Sequence, residues 1–296
     1  MKKILVTGGA GFIASNLIKY ILKTNKNIKI YSFDNYSTGS TRNHISSKKI
    51  IYLDGQTSKI NNNKTLNKID FDTVFHFAEF SRIVPSFKNY DTCIKSNTIG
   101  TFEVIKFALN KNAKLIYSAS SSTVGKNKYL SPYSWSKYAN NELIKNFSKW
   151  FGLKYVIVYF YNVYGTNQIT SGTMSAVIGI FEKQYLSNQP LTVVKPGTQK
   201  RDFTHVNDIV IGTYLASTKT ENSEFHIGSG RNYSVLEVAK MFNHKIKFIA
   251  ERPGERFYSL SNTNNAKKIL NYVPKYDLES YVKQFIKNNK IDEKYR

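Results

Sequence analysis

The chain has 296 residues, which is long enough for a well-buried core in one large domain or in two closely joined ones. Lysine and arginine outnumber aspartate and glutamate by 43 to 20, and the net charge is +23. Such a charge can indicate nucleic-acid binding, but the lysines are spread along the chain among many Asn and Ile residues, so we do not expect nucleic acid as a partner.

The same composition excludes several other classes of protein. No apolar run approaches the roughly 18 residues that a membrane span requires, and Met1-Lys2-Lys3 leads directly into a strand pattern, so we expect a cytoplasmic protein without membrane association. Cys93 is the single cysteine, which rules out an internal disulfide and a multi-thiolate metal site. The five histidines show no metal-ligand spacing, and no metal is expected.

In the first half of the chain, short apolar runs alternate with helical patterns. The helical patterns cover Phe12 to Leu22, Thr92 to Leu109 and Pro132 to Trp150. The apolar runs predict strands at Lys3–Thr7, Ile28–Phe33, Lys49–Leu53, Thr73–Phe77, Lys114–Ser118 and Tyr155–Phe160. This alternation predicts an α/β fold with a doubly wound parallel sheet covered by helices on both faces.

After Gly165 the regular alternation stops. We therefore predict a Rossmann-type domain over residues 1–165 and a smaller α/β substrate lobe over residues 166–296, with residues 201–228 returning to the first domain. Shorter elements are predicted throughout this half, with helices at Thr173–Leu186, Val206–Ser217, Val235–Phe242, Asn265–Leu270 and Leu278–Asn288 and strands at Leu191–Val194, Phe225–Gly228 and Lys247–Ile249. The polar, Asn-rich segment Lys59–Lys68 is predicted to be a long surface excursion.

A glycine turn follows the first strand directly and opens the first helix. Gly8 and Gly11 let the backbone approach a pyrophosphate, which the helix N-terminus stabilises. Asp34 comes about twenty residues later, at the end of the second strand, where an acidic side chain accepts ribose hydroxyls and repels a 2′-phosphate. The pattern predicts NAD rather than NADP as the cofactor, and Arg42 is the one residue that argues for NADP.

Tyr133 and Lys137 form a second motif. Ser131 and Pro132 are typical of a helix start, so the two side chains share one helical face. Of the 21 tyrosines, only Tyr133 has a lysine four residues later. Because a cation beside a phenol favours the phenolate, the pair is a candidate for proton transfer.

These motifs together resemble the extended short-chain dehydrogenase/reductases of the nucleotide-sugar epimerase/dehydratase family. The resemblance runs almost from end to end and includes Asp54-Gly55, His76-Phe77-Ala78, Asn162-Val163-Tyr164-Gly165, Arg201-Asp202-Phe203 and Arg252-Pro253-Gly254-Glu255. It implies that NAD contacts a set of residues near the carboxyl ends of the strands, namely Gly8, Gly11, Phe12, Ile13, Asp34, Asn35, Asp54, Gly55, Phe77, Ala78, Asn97, Tyr133 and Lys137.

The resemblance also implies a catalytic hydroxyl and a site for a nucleotide-diphosphate sugar, most simply a UDP-sugar. Ser120 takes the place of the family's catalytic Ser or Thr, with Ser122 as the second choice. Sugar-nucleotide 4,6-dehydratases carry Asp and Glu at the next two positions, whereas this chain has Ser121 and Ser122, so we expect redox chemistry without elimination. The predicted substrate contacts are Glu79, Ser81, Arg82, Ser122, Asn162, Arg201, Arg252 and Glu255.

Glu79 and Arg82 depart from the family pattern, which has small or neutral residues beside the reacting sugar. Two interpretations stay open. Either both side chains face the pocket, with Arg82 binding a carboxylate or other anion and Glu79 an amine or hydroxyls, or they form an internal ion pair that braces the loop.

The leading hypothesis is a UDP-hexose 4-epimerase with tightly held NAD that works through a 4-keto intermediate. A keto-sugar reductase or a UDP-uronic acid decarboxylase is the enzymatic alternative, and an RNA-associated or regulatory protein on the same fold is the alternative from another class. The family resemblance further implies a homodimer formed through Asn89–Leu109 and Pro132–Trp150.

Overall fold

A computed structural model of the chain describes residues 1–289, so the last seven residues of the predicted lobe, 290–296, lie outside the described residues. Thirteen strands are present in this range, namely β1 (Lys3–Thr7), β2 (Lys29–Asp34), β3 (Ile50–Asp54), β4 (Thr73–His76), β5 (Lys114–Ser120), β6 (Tyr155–Phe160), β7 (Val163–Tyr164), β8 (Leu191–Val194), β9 (Lys200–Asp202), β10 (Thr204–His205), β11 (Ser223–Ile227), β12 (Asn232–Ser234) and β13 (Ile246–Ile249). The α-helices of the same range are α1 (Phe12–Thr24), α2 (Lys64–Asn67), α3 (Ile83–Lys88), α4 (Tyr90–Ile94), α5 (Gly100–Asn110), α6 (Pro132–Phe151), α7 (Val177–Leu186), α8 (Val206–Lys219), α9 (Val235–Met241) and α10 (Leu278–Asn288).

Seven strands form one parallel sheet in the order β11-β6-β5-β4-β1-β2-β3. The chain runs outward from β1 to β3, returns to β4 beside β1, and then continues to the other edge. The strand order therefore reverses between β1 and β4, which is where ligands bind in open α/β sheets. The predicted doubly wound parallel sheet is confirmed.

Both faces of the sheet are buried, because successive side chains of a strand point to opposite sides. In β1, Ile4 and Val6 belong to the core that includes α1 and α8, and Leu5 belongs to the opposite core that includes α5 and α6. This two-sided burial explains why the strands are continuous apolar runs.

The last strand of the sheet comes from the second half of the chain. β11 pairs with β6 from Ser223 to Ile227, and α8 packs on α1. The remaining strands of the second half form three two-stranded sheets, β10-β7, β12-β9 and β13-β8, and a third core gathers residues of α7, α9 and α10.

Two predicted segments differ in the structure. The helix predicted at Thr92–Leu109 begins inside α4, which follows α3, and passes through a π-helical turn at Lys95–Ile99 before α5. The segment Lys59–Lys68 is not a surface excursion, since it forms a 3₁₀ helix (Thr57–Asn62) and α2. Ile60 and Leu66 are fully buried, and these two apolar anchors fix an otherwise polar segment to the core. Among residues 1–289, no helix is both long and apolar enough to cross a membrane.

Candidate active site

A deep cleft opens at the carboxyl ends of β1, β4, β5 and β6. It encloses about 1720 Å³ of space, including its open mouth. The predicted site residues among its lining are Gly8, Gly11, Phe12, Ile13, Phe77, Glu79, Ser81, Arg82, Ser120, Ser122, Tyr133, Lys137, Asn162, Arg201, Arg252 and Glu255.

The glycine turn forms one end of the cleft. Gly8 has φ +72°, and a Cβ atom at this position would lie 2.8 Å from the backbone nitrogen of Ala78. The Gly11 amide donates to the Gly8 carbonyl at 2.9 Å and directs the chain into α1. Within the described residues no side chain caps α1 at Gly11, and its first turn carries no acidic residue. The helix N-terminus can therefore receive an anion.

Asp34 lies beside this turn at the end of β2. Its two carboxylate oxygens accept hydrogen bonds from the amides of Ala10, at 2.9 Å, and Tyr36, at 2.8 Å. Burial raises the pKa of Asp34, and the bonds from Tyr36 and Ala10 oppose that rise. Each oxygen retains a second lone pair, so the carboxylate can also accept from a ribose.

The neighbouring predicted contacts lie at the same sheet edge. Asp54 is the register partner of Asp34 in β3 and is exposed, as is Asn35. Gly55 packs so closely on Phe33 that a Cβ atom would lie 2.4 Å from its ring. Arg42 is exposed in a short 3₁₀ helix after β2.

At the end of β4, Phe77 stacks on Phe160 with 5.9 Å between ring centroids and forms part of the cleft wall. The sequence-predicted cofactor contact Asn97 is fully buried instead. Its side-chain amide bonds to the backbone nitrogen and oxygen of Phe80 and to Ser136 Oγ. Asn97 therefore fixes the loop after β4 to α6 and does not line the cleft.

Tyr133 and Lys137 enter the cleft from the first turns of α6. Ser131 caps this helix by accepting from the Ser134 amide, and Pro132 occupies a first-turn position where no hydrogen-bond donor is required. Both side chains are nearly excluded from solvent. Lys137 Nζ donates to the Ser118 carbonyl, which fixes the ammonium at the end of β5.

Ser120 ends β5 on the same wall, and its hydroxyl oxygen accepts from the Ser122 amide at 3.1 Å while its own proton stays available. Ser122 Oγ is buried and has no hydrogen-bond partner among the described residues. Either hydroxyl can serve a ligand in the cleft.

Glu79 does not pair with Arg82, so the internal ion pair considered from the sequence is wrong. The Glu79 side chain is 2 % exposed and forms a salt bridge with Lys137. Its other carboxylate oxygen accepts from Tyr117 OH at 2.9 Å and from Thr101 Oγ1 and Asn140 Nδ2 at 3.0 Å. With both oxygens occupied, Glu79 acts on Lys137 and does not present a free carboxylate to a sugar, as the other interpretation required.

Arg82 is held by backbone carbonyls. Its guanidinium donates to Met174 O at 2.8 Å and to Ser81 O at 2.9 Å. Burial lowers the pKa of Arg82, and the charge of an ionised Tyr133 opposes that fall. Arg82 and Tyr133 line the same cleft.

Three more arginines line the cleft. Arg201 is paired with Glu255, and Asn162 lies nearby with its amide bonded to Asp202 O at 3.1 Å. Arg252 also lines the cleft. Sequence reasoning missed Arg256, which is 7 % exposed and donates to Ser121 Oγ at 3.1 Å. Burial, with the nearby Arg201 charge, lowers the pKa of Arg256 to about 10.

Comparison with known proteins identifies the family of this chain. Residues 4–228 match the model of the NAD dependent epimerase/dehydratase family. This chain belongs to that family. A putative UDP-glucose 4-epimerase of Methanocaldococcus jannaschii is 30 % identical over 97 % of this chain and 99 % of its own length.

Solved structures of epimerases share the whole fold. The UDP-glucose 4-epimerase of Thermotoga maritima, solved with UDP-glucose, superimposes with a TM-score of 0.89 at 25 % identity and covers 96 % of this chain and 97 % of its own. The UDP-glucuronic acid 4-epimerase of Bacillus cereus, solved with UDP-glucuronic acid and NAD, has a TM-score of 0.86 at 26 % identity and covers 97 % and 99 %.

The cofactor of this epimerase/dehydratase family member is NAD. The residues present fit it, because α1 offers an uncapped N-terminus behind a glycine turn and Asp34 lies beside the turn with free lone pairs. Arg256 follows directly after Arg252-Pro253-Gly254-Glu255, and its charge is the only feature of the sequence that indicates a role in the cleft.

Proposed function

We propose that this protein is a UDP-hexose 4-epimerase that works through a 4-keto sugar. The observation that carries the proposal is that Tyr133, Lys137 and Ser120 line one cleft together with the glycine turn. A phenol, an ammonium and a hydroxyl beside a glycine turn support the proposal, because alcohol oxidation requires a base and groups that orient the alcohol.

In this mechanism Tyr133 removes the proton of the sugar C4 hydroxyl, and Ser120 orients that hydroxyl with its free O–H. Bound NAD supplies the hydride acceptor and later the hydride donor. Lys137 is the candidate for holding the cofactor ribose, since two of its three N–H groups are used by Glu79 and Ser118 and one remains. After the keto sugar rotates in the cleft, Tyr133 returns the proton to the C4 oxygen.

Rotation of the keto sugar requires that the rest of the substrate stays anchored. Arg201 and Arg252 are the proposed partners of the diphosphate, and Asn162 lies at the same wall. Guanidinium groups suit this task, because their planar N–H donors match phosphate oxygens. The Glu255 carboxylate holds Arg201 in place.

Elimination of water is not part of the proposed reaction. It would need an acid and a base beside Ser120, but Ser121 there accepts a hydrogen bond from Arg256, and Ser122 is a second neutral hydroxyl.

The proposal is tested by incubating purified protein with UDP-glucose and UDP-galactose and separating the products by anion-exchange chromatography. Interconversion is expected, with a loss of at least about 100-fold in Tyr133→Phe, since a positioned base contributes roughly that much or more. Tyr138→Phe is the matched control, because Tyr138 is on the same helix, outside the cleft lining. Full activity of Tyr133→Phe would overturn the assignment.

A uronic acid decarboxylase or a keto-sugar reductase is the second candidate, and Arg82 and Arg256 favour a substrate with an anionic sugar. Within residues 1–289, no carboxylate lies within 4.0 Å of either guanidinium. Mixing the protein and free NAD with UDP-glucuronic acid separates the reactions. Decarboxylation releases carbon dioxide, a reductase running in reverse oxidises the sugar and releases free NADH, and an epimerase does neither.

We further propose that the protein is a homodimer formed through the outer faces of α4, α5 and α6. Large apolar side chains are exposed there, namely Tyr90, Phe102, Trp150 and Phe151. Light scattering should give twice the chain mass, and Phe102→Glu with Trp150→Glu should give the monomer. Phe248→Glu, at an exposed position in β13, is the control that should leave the mass unchanged.

A further inference from the structure

Glu79 is a heavily bonded side chain near the proposed base. Its carboxylate accepts from four donors on three other elements: Thr101 in α5, Tyr117 in β5, and Lys137 and Asn140 in α6. A buried carboxylate with this many donors is a fixed negative charge. This carboxylate contacts the ammonium of Lys137, which the sequence predicted to favour the phenolate of Tyr133.

The surrounding hydrogen bonds fix the proton directions at Thr101 and His76. Thr101 gives its only hydroxyl proton to Glu79, so His76 Nε2, 2.9 Å away, donates to Thr101. His76 Nδ1 then accepts from Thr7 Oγ1 at 2.7 Å, and burial lowers the pKa of His76 to about 4. Burial and the Glu79 charge raise the pKa of Tyr117, which remains a donor. Apart from Lys137, the donors around Glu79 are therefore neutral.

Lys137 and Glu79 consequently form a pair without net charge. From the position of Tyr133, a compensated pair acts as a dipole, whose field falls off more steeply than that of a single ammonium. Two further cations, Arg82 just before α3 and Arg256 in the loop after β13, line the same cleft as Tyr133. Among residues 1–289, neither guanidinium has a carboxylate within 4.0 Å, although the charge of Glu255 acts on Arg256.

We infer that Glu79 is a positioning residue that compensates the charge of Lys137, and that Arg82 and Arg256 supply the positive field that favours the Tyr133 phenolate. Lys137 then serves chiefly to orient groups around the cofactor site. The inference rests on the proposed role of Tyr133 as the base. The charged groups that line the cleft with Tyr133 are Lys137, Glu79, Arg82, Arg201, Arg252, Glu255 and Arg256, and Tyr117 is bonded to Glu79. Bound NAD adds a nicotinamide charge that is the same in every variant.

The test is a titration of Tyr133 itself in the NAD-bound protein. Tyrosine labelled with ¹³C at Cζ reports ionisation by its chemical shift, and Tyr133→Phe identifies the signal. This measurement needs no substrate, so a failure of the proposed epimerase activity leaves it interpretable. Its result is the pH midpoint of the Tyr133 signal in each variant.

Four changes separate the contributions. Glu79→Gln keeps the side-chain size but leaves Lys137 uncompensated, so the midpoint should fall by about one pH unit or more. Glu79→Gln combined with Lys137→Met removes the whole pair, and the midpoint should stay within about half a unit of the parent protein, because little net charge has changed. Arg256→Gln and Arg82→Gln should each raise the midpoint by about one unit.

Tyr117→Phe is the matched control, since it removes one hydrogen bond from Glu79 and no charge. Its midpoint should equal that of the parent protein. A general loss of packing in the site would shift the Tyr133 midpoint equally in Tyr117→Phe and Glu79→Gln. If the Glu79 variants do not fold, the midpoints of Arg82→Gln and Arg256→Gln, compared with that of Tyr117→Phe, still decide whether the two arginines favour the Tyr133 phenolate. The inference is overturned if Glu79→Gln fails to lower the midpoint, if removal of the whole pair raises it as much as Arg256→Gln does, or if neither arginine variant raises it.

Discussion

Replacement of Gly8 by alanine tests whether the glycine turn depends on close packing as well as on backbone conformation. Gly8 has φ +72°, and a Cβ atom would lie 2.8 Å from Ala78 N and 2.9 Å from Phe77 C, both of them backbone atoms that cannot rotate away. Gly152 supplies a matched control, because it has φ +74° and a Cβ atom would find no described atom within 4 Å.

The two sites separate the two costs. An alanine at positive φ costs about 1–2 kcal/mol of the free energy of unfolding, and this is the whole effect expected for Gly152→Ala. Gly8→Ala adds an overpacking cost of about 1–3 kcal/mol, because β4 and its following loop must shift. Its total expected loss is therefore roughly 2–5 kcal/mol.

Urea denaturation of the NAD-free proteins measures both losses, and retention of NAD through gel filtration measures the ligand site. Gly8→Ala should be the less stable variant and should lose NAD, while Gly152→Ala should retain it. Equal losses of stability in the two variants would refute the argument, since they would mean that the contact between Gly8 and Ala78 carries no energy.

Two further predictions concern buried ionisable groups. Burial lowers the pKa of His205 to about 4 from its ordinary 6.5. Between these pH values the unfolded chain binds a proton that the folded protein does not. The stability that the neutral His205 contributes is therefore present above pH 6.5 and lost as the pH falls toward 4. For one histidine, the free energy of unfolding changes by about 1.4 kcal/mol per pH unit in this range. His205→Asn can still cap α8, and it should reduce the slope of the urea-measured free energy of unfolding against pH by that amount. An unchanged slope would contradict the assignment. Asp34→Asn should weaken NAD binding and narrow its advantage over NADP, because a neutral amide no longer repels a 2′-phosphate. Calorimetric titration with both nucleotides measures the ratio, and an unaltered ratio would show that Asp34 does not select the cofactor.

Sequence by itself determined the features that depend on short-range geometry. The glycine turn, the approach to α1 and the position of Asp34 follow from residues close along a strand-turn-helix unit, whose hydrogen bonds have few alternatives. The shared face of Tyr133 and Lys137 follows from helical periodicity. The continuous apolar strands likewise indicated a sheet buried on both faces.

Only the tertiary structure decided how the charges are paired. Glu79 and Lys137 are 58 residues apart, Arg201 and Glu255 are 54 apart, and Arg256 and Ser121 are 135 apart. Glu79 is three residues from Arg82, which made an ion pair between them the natural local interpretation. The loop after β4 instead directs Glu79 toward α6 and Arg82 toward Met174. Because buried charges take partners from whichever elements the packing brings into contact, their pairing is a property of the assembled sheet and helices, and no spacing along the chain encodes it.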